Sequence, residues 1–217
     1  MAYSARVTQG DEYARQSLFT ESGYFEPQDA GAGLPDPEDR LAYDDDRAAR
    51  WHGGLDFGLL VLRIVLGGAL GAHGLQKVFG LFSGPGIAEF ARILAAHGYT
   101  SQTTALSWVA GITEIVAGGL LVLGLFTPAA AGALLAITAN VVYLEYRAGF
   151  FLDGNATGSG FEYHLVLGGI ALALLFTGPG RISLDVNTPW RHRPVPFGFV
   201  GFVLAAGAMA IVLSLFR

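Results

Sequence analysis

The stretch LDFGLLVLRIVLGGALGAHGLQKVFGLF, Leu55 to Phe82, carries Arg63, His73 and Lys77, the last being the only lysine of the chain. Roughly 20 apolar residues at ~1.5 Å rise each cross a bilayer, so the stretch is long enough to span one. Ionisable groups at such depth cost on the order of 2.5–3.5 kcal/mol each, and normally face a bundle interior, a wet cavity or a partner. On a helical wheel Arg63, His73 and Lys77 fall within an arc of about 80°, together with Gly67 and Gly74. One face of this helix is therefore basic and suited to close packing.

Composition widens the reading from one span to several. The chain has 217 residues, 52% of them hydrophobic and 14% charged, where a soluble domain carries about 25% charge. The first 50 residues hold eleven acidic and five basic side chains; the rest hold seven and eight. Low hydrophobicity, high net charge and Pro27, Pro35 and Pro37 predict a disordered acidic tail over 1–50, with no apolar stretch of signal-peptide type. A net charge of −5 without a basic cluster excludes nucleic acid as a partner. The absence of cysteine removes disulfides, iron–sulfur clusters and thiolate metal sites, and no other metal site is expected. Any redox role would therefore need a quinone, a haem or a partner protein as electron carrier. Scarce lysine beside abundant Ala, Gly and Arg suggests a GC-rich bacterial genome, and hence a bacterial inner membrane.

Four more apolar segments follow, at 103–125, 128–147, 161–177 and 196–216. The fold class expected is an all-α integral membrane protein: a four-helix transmembrane bundle within 51–185, then a linker and a fifth, C-terminal transmembrane helix within 186–217. That last helix carries no ionisable group until Arg217 and reads as an anchor or packing element. Pro85–Tyr99 is too short to cross and places Ile87, Phe90, Ile93 and Leu94 on one side, which predicts a short interfacial amphipathic helix. Basic residues favour a cytoplasmic N-terminus: Arg40, Arg47, Arg50, Arg181, Arg191 and Arg193 then lie inside, and Arg92, Arg147 and Arg217 outside.

Helix rise places His73 about 25 Å and Lys77 about 31 Å along the first span, toward its outer end. Glu145 and Arg147 end the third span at that level, and Glu162 and His164 begin the fourth there. Glu114 lies near mid-membrane and Arg63 toward the inner third. Glu114 must be protonated, paired or solvated, with Arg63 or His73 as its partner. Each residue also has a plainer role. Lys77 can snorkel to the headgroups, Glu145 and Arg147 can mark the interface, and Arg63 with Glu114 can form a structural ion pair. Glu162 and His164, roughly 200° apart on a helix, cannot both face the interior. Asn140 reads as an interhelical hydrogen-bonding residue. His73 and His164 could ligate a haem from two helices, but no other haem signature accompanies them.

An arginine, a His-Gly with a nearby lysine (Leu62–Gly80), a mid-helix glutamate followed by Gly-Gly (Ile112–Ala131), the Glu162-bearing helix and GPGRISLD (Gly178–Asp185) occur in order. In this set the chain resembles the DoxX family of membrane proteins from about Leu59 to Asp185. The resemblance implies a four-helix membrane core and a link to respiratory and redox-stress systems. It also implies complexes that include superoxide dismutase and a sulfurtransferase. Arg63, His73, Lys77, Glu114 and Glu162 occupy the matching positions; His164 is added from its depth.

The function expected is a membrane subunit of a quinone-linked or oxidative-stress oxidoreductase assembly, whether or not the chain itself is catalytic. In it His73 and Glu162 carry protons, Glu114 relays them, and Arg63, Lys77 and His164 stabilise the quinone. The alternative is a non-catalytic scaffold or assembly factor whose polar stripe fixes helix packing. A small-solute transporter comes third, without discontinuous helices or an inverted repeat.

Overall fold

In the computed structural model, residues 53–147, 149–151, 160–185 and 187–217 are described. The acidic segment 1–50 and positions 152–159 of the loop before the fourth span lie outside them. The described residues form helices and no strand: α1 (Gly53–Phe79), a 3-10 turn (Leu81–Ser83), α2 (Gly86–Ala96) and α3 (Thr103–Leu123). They continue with α4 (Thr127–Glu145), α5 (Glu162–Thr177), the short α6 (Pro189–His192) and α7 (Pro194–Phe216). Helices α1, α3, α4 and α7 are long and apolar enough to cross a membrane. Helix α5 is equally apolar, but its 16 residues span only about 24 Å against a hydrocarbon core of ~30 Å. It ends where Gly178 turns to φ +78° ahead of Pro179.

Val65, Val116, Val203 and Leu204 are each more than half exposed on the outer faces of these helices. Such a girdle of apolar side chains suits hydrocarbon as its solvent, and the chain is a multi-pass membrane protein.

Helix α4 is central, packing on α3, α5 and α7, while α1 packs chiefly on α3 and α2 bridges α1 and α3. Antiparallel α1 and α3 touch backbone to backbone. A Cβ added at Gly118 would lie 2.6 Å from the Gly67 carbonyl oxygen and 2.9 Å from Gly71 N. Without a water-driven hydrophobic effect between lipid-immersed helices, such close van der Waals contact is what holds them together.

The Gly178–Asp185 segment clasps one end of the bundle. Arg181 N donates to Asp56 Oδ1 at 2.7 Å. Asp185 accepts from Phe126 N and Thr127 N, both at 3.1 Å, and from the Thr127 hydroxyl at 3.2 Å. A carboxylate distant in sequence thus supplies the acceptors that the first turn of α4 lacks. Asp185 is 2% exposed, so removing it strands buried donors. Asp185→Ala is expected to cost about 1–3 kcal/mol and Asp185→Asn less, as thermal unfolding in detergent would measure; equal stability of all three proteins would refute the capping role.

Candidate functional site

Ser107, Gly111, Glu114 and Gly118 share the buried face of α3. The small residues bring α1 so close that Glu114 must find its partner on that helix. It finds Lys77. Helical side chains tilt toward their own N-terminus, so Lys77 reaches back into the bundle and its Nζ meets Glu114 Oε1 at 2.5 Å. The Glu114 side chain is 1% exposed and that of Lys77 19%. Glu114 Oε2 has no hydrogen-bond partner among the described residues. The ammonium also lies 4.9 Å from the centre of the Phe90 ring on α2, a favourable cation–π distance. Lys77 turns inward and does not snorkel.

The same tilt corrects the expected pairing of Arg63 with Glu114. Arg63 points toward the start of α1, where its Nη2 donates to the Ile182 carbonyl oxygen and its guanidinium interacts with the charge of Asp185. It is 1% exposed, and Nε and Nη1 lack hydrogen-bond partners among the described residues. Arg63 belongs to the clasp, at a different level of the bundle from Glu114.

His73 Nδ1 lies 3.0 Å from Gln76 Oε1, and Nε2 lies 3.3 Å from the Tyr163 hydroxyl. His164 Nδ1 lies 3.1 Å from Glu145 Oε2, off the hydrogen-bonding direction. Glu114 and His164 are each within electrostatic reach of Lys77 and His73. Of the two candidates at the start of α5, His164 is the one that faces inward, and Glu162 stays in the first turn outside the cavity described next.

A cavity of about 380 Å³ lies between α3 and α7 across α4, with α2 along one side. Its walls are mostly apolar, from Phe90, Ile93 and Leu94 of α2 through Leu106 and Val109 of α3 to Ile137 and Leu144 of α4. Lys77, Glu145 and His164 line it, as do His97, Tyr99 and Asn140. His73 does not, so His73 and His164 present no joint axial site and the arrangement does not fit a haem. The Tyr99 hydroxyl donates to Asn140 Oδ1 at 2.5 Å. Burial pushes the Tyr99 phenol above its ordinary pKa and keeps it a donor. Asn140 therefore bonds to the α2–α3 connection, not to another span. Helix α7, expected to be an anchor or packing element, packs on α4 and α5 and also contributes Ala208, Met209 and Val212 to the cavity wall.

Residues 58–147, α1 from its sixth residue through α4, match the DoxX family model. Over these residues the chain is similar to the DoxX family. The match stops before α5, the Gly178–Asp185 clasp and α7, so His164 and the α7 wall are contributed by residues beyond it. No curated protein and no solved structure matches the chain.

Proposed function

We propose that the chain is the membrane subunit of a redox assembly, with a lipid-soluble quinone held in the cavity. The observation that carries this reading is a mostly apolar space whose lining includes an ammonium already paired with a buried carboxylate. The fit is chemical: the walls suit an apolar ring and tail, while Lys77 and His164 offer N–H donors to a carbonyl oxygen. A bound quinone would supply two-electron, two-proton chemistry. Lys77 then fixes the head, His164 with Glu145 holds or accepts a proton beside it, and Glu114 is the relay behind Lys77. His73, bonded to Tyr163, remains the proton carrier on α1. Arg63 and Glu162 have no contact with the cavity and are given no part.

The setting proposed is the plasma membrane with a cytoplasmic N-terminus. The redox partners are those implied by the DoxX resemblance, a superoxide dismutase or a sulfurtransferase. Equilibrium binding of decylubiquinone to the full chain in nanodiscs tests the reading. Wild type should bind at micromolar concentration, and His164→Asn should weaken binding at least about tenfold without lowering protein yield. Saturable binding absent from wild type would overturn the proposal. The second reading, a non-catalytic scaffold, draws on the Lys77–Glu114 bridge between α1 and α3 and expects no such ligand.

A further inference from the structure

Helix α7 lies outside the matched segment, yet it is fixed against the cavity at both ends. Gly198 and Gly201 lie against α4 and α5, where an added Cβ at Gly201 would stand 2.7 Å from Leu175 Cδ1 and 3.2 Å from the Pro128 carbonyl oxygen. At the other end, Thr100 N and Ser101 N donate to the Phe216 carbonyl oxygen at 2.9 and 3.3 Å, and the Arg217 guanidinium lies 5.4 Å from the centre of the Tyr143 ring. The two amides directly follow Tyr99, the residue that orients Asn140.

Asn140 is informative because only half of its side chain is satisfied. Its Oδ1 accepts from Tyr99, and among the described residues no protein group accepts from its Nδ2. Asn140 lines the cavity and is only partly buried, so its amide N–H pair is open to an acceptor on a ligand, among the apolar side chains of Ile137, Val141 and α7. It calls for an acceptor that carries no charge and arrives with apolar surface around it. A carbonyl oxygen on a lipophilic body meets both conditions.

We propose that Asn140 and α7 form a second subsite of the cavity, in which Asn140 Nδ2 donates to a carbonyl oxygen of the ligand while Ala208, Met209 and Val212 bound its apolar body. The subsite rests on the reading that the cavity holds a lipophilic ligand, and it narrows that ligand to one with a neutral acceptor at this end. Helix α7 is then a determinant of ligand size, and the amides of Thr100 and Ser101 hold it in register with Tyr99.

The test uses the full chain in nanodiscs with two probes, decylubiquinone and the simple ketone 2-undecanone. Asn140→Leu, which keeps volume and removes the donor, should weaken binding of both about five- to tenfold. Ala208→Phe, which fills the space, should abolish binding. Gly207→Leu should change nothing, since an added Cβ there meets no atom within 4 Å. If Ala208→Phe does not fold, Met209→Ala takes its place: by enlarging the space it should shift preference toward a quinone with a branched isoprenoid tail. Unchanged binding in both Asn140→Leu and the α7 variant overturns the subsite. If Lys77→Met still weakens quinone binding in that case, the quinone reading survives alone. If undecanone binds and responds to these variants while no quinone binds, the subsite stands and the quinone reading falls.

Discussion

Replacing Lys77 by methionine should cost about 3–5 kcal/mol of stability, because it leaves the Glu114 carboxylate buried without its counter-charge. The reverse change, Glu114→Gln, should cost less. The Lys77 side chain is 19% exposed and borders the cavity, so a released ammonium has somewhere to turn, whereas Glu114 at 1% has nowhere. The double variant Lys77→Met/Glu114→Gln should recover at least half of the larger loss, since it removes both charges and leaves groups of similar volume. Thermal unfolding of the four proteins in one detergent measures the cycle. Additive losses would mean that the two side chains do not interact, and the site would lose its centre.

Gly118→Leu should abolish folding outright. Overpacking usually costs 1–3 kcal/mol, because neighbouring side chains rotate out of the way. Here the atoms in the way are the Gly67 carbonyl and the Gly71 amide, main-chain groups of α1 that cannot rotate aside. The helices would have to part, and the Lys77–Glu114 bridge would part with them. Gly119→Leu, one residue on, is the matched control, since a Cβ there meets nothing within 4 Å. Yields after detergent extraction should separate the two. Comparable yields of folded protein would show that α1 and α3 do not pair through this face.

The helices and the glycine face were legible because a 3.6-residue period with small residues on one side leaves few other solutions. Which charge meets Glu114 was not. A helical wheel gives the direction around the axis and is silent on the direction along it, and the tilt of the Cα–Cβ bond decided for Lys77 against Arg63. The cavity wall on α7 was invisible for a different reason. A search for polar groups passes over a helix without any, and Ala208, Met209 and Val212 act by shape alone. Tyr99 is the last residue expected in the amphipathic helix, but that helix ends at Ala96, and in the connection beyond it no periodicity assigns a facing that would signal the bond to Asn140. Asp185 was noticed as the end of a motif, but its capping of α4 depends on a return of the chain that spacing does not encode.

The cavity and the matched segment have different edges, and this matters to anyone trimming the molecule. A fragment cut to residues 58–147 would keep Lys77, Glu114, Tyr99 and Asn140 but would lose His164 and the whole of α7. Asp185 would go too, leaving the start of α4 without its acceptors. Such a fragment would bring its most recognisable residues to the bench with one side of the chamber open to lipid, and its silence in an assay would say little about the intact chain.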